Sequence, residues 1–183
     1  DTGWGLKAPS LGVSYFGERP VVDALMEALP ATLLLAVTAM GLALLLGVSL
    51  GLVLAWRGDG PVARAVIGLA TLGMSAPSFF VAILVAWLFG VVWHDLTGLP
   101  PSGGWRVLDP FEGPQVAWHH LILPALTLGI RPLSVVIQLT RNAAEDVLGQ
   151  SYIRTARAKG VGGWRLMRKH VLRNAMNPVL TAA

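Results

Sequence analysis

Pro30 to Trp56 is a run of 27 residues without one ionisable side chain. As a helix rising about 1.5 Å per residue it reaches ~40 Å, enough to cross a ~30 Å hydrocarbon core with some tilt. A helix apolar on every face has no side to turn to water, so the run predicts a transmembrane span. Composition points the same way. The 183 residues are 54% hydrophobic with mean hydropathy +0.63, above the roughly 45–50% usual in soluble domains.

Two further runs follow. Val66 to Trp93 is also uncharged but is interrupted by "SAPSF" around Pro77; a proline there removes a backbone donor and crowds the preceding turn, so the span kinks or splits. His119 to Thr140 carries Arg131 and Pro132 in its middle. A charge at that depth costs at least a few kcal/mol against lipid, so Arg131 is expected to face other helices or an aqueous path. The expected fold class is an all-α, polytopic transmembrane helical bundle, with spans near 30–56, 66–93 and 119–140. The chain opens at Asp1 without a signal-peptide pattern and reads as a piece of a longer polypeptide.

Loop charge orients these spans. The segment Arg57 to Ala65 sets two arginines against one aspartate, whereas His94 to Trp118 sets Arg106 against Asp95, Asp109 and Glu112. By the positive-inside rule the first loop is cytoplasmic and 94–118 external. Residues 1–29 are then an external segment leading into the first visible span, 141–178 a cytoplasmic loop, and 179–183 the start of a further span. "GLPPSGG" marks the external loop as structured but not helical.

The net charge of +4 gathers after the last span. "YIRTARAKGVGGWRLMRKHVLRN", Tyr152 to Asn174, holds seven Lys or Arg and no acid. One reading is topological, with cations gathered beside a cytoplasmic helix end for insertion and contact with anionic lipid. The pattern also supports docking. The sequence is helix-compatible up to Gly160, turns through "GVGG", and is helical again with Arg165, Lys169 and Arg173 spaced four apart. Two short helices meeting at a glycine elbow, with Trp164 exposed among cations, make a knob suited to a partner surface.

"YIRTARAKG…LMRKHVLRNAMNPVL" resembles the cytoplasmic loop motif of permease subunits of prokaryotic ABC importers, in the dipeptide, oligopeptide and nickel subfamily. "GVSYFGERPVVDALMEALPATLLLA" is similar to the external approach to that subfamily's second span, so the likeness runs from about Leu11 to Ala183. The broader motif has glutamate, two alanines, three variable residues and glycine. Here Arg154, Thr155, Ala156 and Gly160 occupy those places, with Ala156 and Gly160 matching and Arg154 replacing the glutamate, as in the peptide-type variant. Leu172 fits a later apolar position, while His170 and Arg173 stand where the motif has isoleucine and proline. The resemblance implies a type I importer permease fold. It also implies an ATPase-coupling loop carried by Arg154, Thr155, Ala156, Arg157, Gly160, Trp164 and Arg165, whose small residues allow close approach. The implied partners are ABC ATPase subunits, a second, homologous permease subunit, an extracytoplasmic solute-binding protein and membrane lipid, in the inner (plasma) membrane of a prokaryote.

The chain has no "GxxxxGK[ST]" and no recognisable catalytic triad, so neither an enzyme nor a bound cofactor is expected in it. Any ATP is hydrolysed by another chain. Arg131 and Pro77 are the candidates for a translocation path, with Arg131 facing either an anionic group of substrate or a structural neighbour. His94, His119 and His120 could form a metal path, but adjacent histidines point apart on a helix, so interfacial polar residues are the favoured reading and no metal site is expected. "GVSLG", Gly47 to Gly51, reads as helix packing. The function expected is a permease subunit forming a peptide path driven by a separate ATPase. A secondary transporter or channel subunit, and a membrane-anchored protein with a nonspecific basic lipid- or nucleic-acid-binding loop, are the alternatives; no nucleic acid is expected as partner.

Overall fold

Apolar helices in lipid gain little from burying more grease, so they associate where small residues let backbones meet. The first helix, α1 (Val21–Arg57), has such a stripe: Ala39, Ala43, Gly47, Gly51 and Ala55, each four residues from the last, are all buried. They face α5 (His119–Gly149), the other long apolar helix. A Cβ on Gly51 would sit 2.7 Å from the Thr140 Cβ and 2.8 Å from the Ile137 carbonyl oxygen; one on Gly47 would sit 2.6 Å from Val136. From the other side, a Cβ on Gly129 would lie 3.1 Å from the Ala39 carbonyl oxygen. The fold is that of a computed structural model describing residues 11–14, 17, 19–102, 104, 106–109 and 113–182. Residues 1–10 of the expected external segment, Glu112 of the expected external loop and Ala183 of the expected further span lie outside them.

The pairings along this seam fix topology. Ala39 meets Gly129, Gly47 meets Val136, Gly51 meets Thr140, and Ala55 shares a cluster with Ala144. The numbers rise together, so α1 and α5 run parallel. A chain that leaves α1 at one end and enters α5 at the opposite end must traverse the bundle in between.

That return is made by α2 (Pro61–Ser75) and α3 (Ser78–Trp87), the latter prolonged by a π-helical turn, Leu88–Val92. Pro61 opens α2 at the first helical position, where its missing N–H costs nothing. Proline 77 ends it: Ala76 is extended (ψ 140°), as a residue before proline tends to be, and Pro77 follows at ψ 132°. The halves are bent by 117°. Each is 15 residues counting the π turn, or ~22 Å, too short to cross a ~30 Å core singly. The sequence left open a kink or a split; the structure splits the span.

Beyond the π turn, Thr97 Oγ1 in α4 (His94–Thr97) donates to the Phe89 carbonyl at 2.7 Å, and Pro101 packs so closely on Gly90 that a Cβ there would lie 2.6 Å from its Cα. Next comes an antiparallel hairpin, β1 (Arg106–Asp109) with β2 (Gly113–Val116), in register Arg106↔Val116 to Asp109↔Gly113. The expected non-helical loop therefore contains strand pairing, a local departure from an all-α chain. The bundle itself is helical.

Arg131 and Pro132 do not interrupt α5, which continues to Gly149, nine residues past the expected Thr140 boundary. After an extended Gln150, α6 (Ser151–Ala158), α7 (Gly163–Leu166), a second π turn (Met167–Val171) and α8 (Leu172–Ala182) fold back on the seam. Ile153, Leu166 and Val171 are fully buried there with Ala55 of α1 and Ala144 of α5.

The seam makes a selective prediction. Gly51→Val should lower the thermal unfolding midpoint of the detergent-solubilised full-length protein by several degrees, as overpacking of about 1–3 kcal/mol does. Gly41→Val, whose Cβ meets nothing within 4 Å, should leave that midpoint unchanged.

Candidate functional site

The basic stretch is amphipathic, and its two sides do different things. Ile153 and Ala156 of α6 turn toward the buried cluster, while Arg154, Thr155 and Arg157 stay exposed. Arg154 reaches back to the Gly149 carbonyl at 3.5 Å, and Thr155 Oγ1 donates to the Ser151 carbonyl at 3.2 Å. Asn174 Nδ2 of α8 donates to Tyr152 Oη at 3.1 Å, which ties α6 to the last helix.

The elbow is a Schellman termination. Gly160 has φ +78°, its N–H donates to the Arg157 carbonyl at 2.9 Å, and the Val161 N–H donates to the Ala156 carbonyl at 3.1 Å. Val161 and Ala156 pack on the same cluster, the apolar contact that accompanies this motif. Gly160 therefore has a conformational reason to be glycine, and Ala156 an internal packing reason to be small. Close approach to a partner is not needed to explain either.

After the elbow, Trp164 is 79% exposed and Arg165 is exposed, so both project as expected. Gly163 beside them is set by α1: a Cβ there would lie 2.7 Å from the ring of Trp56. Sequence reading missed that contact, because nothing in "GVGG" names its distant partner. It also missed Arg141, whose side chain is 11% exposed and holds Glu145 at 2.7 Å and Asp59 in the α1–α2 loop. Only the i,i+4 spacing of Arg141 and Glu145 was visible in the sequence.

A second site lies within the bundle. Leu35 of α1, Gly73 and Ala76 of α2, Phe79 of α3 and Leu123 and Arg131 of α5 line a cavity of about 710 Å³. Arg131 and the Pro77 break, paired in the sequence only as pathway candidates, meet here: Arg131 Nη2 lies 3.5 Å from the Ala76 carbonyl oxygen. The bend takes that carbonyl out of the α2 ladder, and a guanidinium is a suitable donor for it. The remaining walls are mainly apolar.

The histidines do not converge. The His119 and His120 rings touch edge-on, with centroids 4.6 Å apart, instead of pointing apart as expected for adjacent helical residues. His94 Nδ1 sits 3.1 Å from the Leu99 carbonyl oxygen. Among the described residues no three His, Cys, Asp or Glu side chains are grouped as a metal set.

Residues 43–183 match the family described as "Binding-protein-dependent transport system inner membrane component". A protein of Brucella abortus (strain 2308), provisionally named a peptide transport system permease protein, is 38% identical over 181 residues, 98% of this chain and 55% of its own. The dipeptide transport system permease protein of Escherichia coli (strain K12) is 35% identical over 195 residues, 97% of this chain and 58% of its own. The glutathione transport system permease protein of Salmonella choleraesuis (strain SC-B67) is 40% identical over 171 residues, 93% of this chain and 51% of its own. The chain thus spans about half the length of these relatives. It belongs to the family of binding-protein-dependent transport system inner membrane components, the permeases of ABC importers.

Proposed function

We infer that this chain is the part of a permease subunit that carries both a segment of the translocation path and the loop coupling it to a separate ATPase, in an importer of di- or oligopeptides. The relatives named for peptide, dipeptide and glutathione transport support the substrate class. The observation that carries the coupling role is the construction of the basic segment. Its cationic side is exposed, and its apolar side is locked onto Ala55 and Ala144, the ends of both seam helices. A force applied to α6 therefore acts directly on two spans.

In this reading Arg154, Thr155, Arg157, Trp164 and Arg165 meet the ATPase, with Gly160 and Ala156 shaping the segment behind them. The α1–α2 loop and the basic segment lie in the cytoplasm and loop 94–118 outside, where an extracytoplasmic binding protein delivers substrate. ATP binding and hydrolysis in partner subunits move the segment, and the bundle alternates access about the Pro77 break. The cavity beside Arg131 opens on the path shared with a second permease subunit. All of this takes place in the plasma membrane of a prokaryote.

Exposed positions and shape-determining positions separate experimentally. Thr155→Trp should leave the unfolding midpoint unchanged yet weaken co-purification of the full-length permease with its ATPase by about tenfold or more, the scale of an interface hot spot. Full assembly and full ATP-driven peptide uptake by that variant would sink the docking role. Gly160→Ala should do something different. It strains a left-handed residue by roughly 1–2 kcal/mol and lowers the unfolding midpoint itself, while Gly160→Asn, which tolerates that conformation better, recovers part of the loss.

A further inference from the structure

Trp56 and Trp164 are exposed, at 47% and 79%, and between them runs a groove of about 310 Å³. Its apolar lining comes from Leu52 and Val53 of α1, Met167 of the π turn and Leu172 of α8; Arg57 and Arg168 are the charged residues on it. We propose that this groove binds one anionic phospholipid, with an acyl segment along the apolar lining and the phosphate held by Arg57 and Arg168.

Three features favour a lipid over a water-borne partner. Leu52 and Val53 belong to the uncharged run that spans the bilayer, so part of the groove lies at hydrocarbon depth, where a soluble protein surface does not reach. Arg57 is the first cation after that run and Trp56 its last residue, the pairing expected where a helix leaves the membrane. Lastly, among the described residues no acid lines the groove, and Asp59, the nearest acid to Arg57 in sequence, is engaged by Arg141. Two guanidinium groups beside an apolar slot match the segregation of phosphate and hydrocarbon in a phospholipid, and the planar fork suits phosphate oxygens.

On one side of the groove Trp56 packs against Gly163, where a Cβ would lie 2.7 Å from its ring. A second concavity that Arg168 shares with Lys169 continues the cationic edge beside the groove. At about 310 Å³ the groove sits at the small end of ligand pockets, which run from ~300 to ~1,000 Å³, and holds a stretch of one chain while the rest of the lipid stays in the bilayer. The proposal rests on the membrane span and not on the ATPase role, so either can fail alone.

The test uses full-length permease in phosphatidylcholine nanodiscs carrying a trace of phosphatidylglycerol with a photoactivatable acyl chain, the crosslinked residues being read by mass spectrometry. Phosphatidylglycerol should label peptides containing Trp56 and Trp164, whereas an equally photoactivatable phosphatidylcholine should label them weakly. Arg57→Gln with Arg168→Gln should cut the phosphatidylglycerol labelling by about 30-fold, the loss of roughly 1 kcal/mol at each of two cations. Val53→Trp, which fills the slot and keeps both cations, should cut it as well. Arg64→Gln, a nearby cation outside the groove, should not. Equal labelling by the two lipids, an unchanged yield in the double variant, or an equal loss in Arg64→Gln would overturn the site.

Discussion

Backbone-to-backbone contact between α1 and α5 is the constraint on which the rest of the structure hangs. Five small residues at four-residue intervals, Ala39 to Ala55, remove the side-chain bulk that would hold two apolar helices apart. In a bilayer that closeness replaces the hydrophobic drive of a soluble core, since dispersion contacts grow only as the surfaces meet. The parallel direction of the pair follows from which residues meet. It obliges α2 and α3 to act together as the return crossing despite their 117° bend, because a re-entrant excursion would deliver the chain to the wrong end of α5.

From that obligation come both sites. The bend at Pro77 opens a hollow between the broken pair and α5, with Arg131 against the carbonyl that the bend releases. At the other end, the closing residues of the seam, Ala55 and Ala144, form the platform on which α6, α7 and the second π turn are packed. Close packing of Ile153, Leu166 and Val171 leaves little slack between that segment and the spans. Arg141, bridging Asp59 and Glu145, fastens the α1–α2 loop to the same end. The exposed cations and the cavity beside Arg131 are thus joined through α5, although Gly160 and Pro77 lie 83 residues apart in sequence.

The spans were legible because an uncharged run long enough to cross a bilayer has few other uses, and Pro77 was legible as a break because its chemistry is local. The elbow could be read for the same reason: only the glycine at its turn suits a left-handed helix end, and Gly160 takes φ +78°. What could not be read were relations between distant residues. "GVSLG" suggested packing but not its partner, nor that it is the middle of a stripe running from Ala39 to Ala55. Arg131 was expected to face other helices or an aqueous path, but its partner could not be read: α5 runs through it unbroken, with the guanidinium 3.5 Å from a carbonyl 55 positions earlier. Ala156 and Gly160 carried the family motif, but their packing and capping roles depend on a cluster assembled from five helices and a π turn.

The most direct test is to ask which ends of the helices share a side of the membrane. The chain has no cysteine, so single cysteines at Asp59, Asp95 and Arg157 can be placed in a cysteine-free full-length protein and labelled in intact cells with a membrane-impermeant thiol reagent. Position 95 should be labelled from outside, while positions 59 and 157 should react only after the membrane is opened. Labelling of positions 59 and 95 from the same side would make the broken pair a re-entrant loop and contradict the parallel seam.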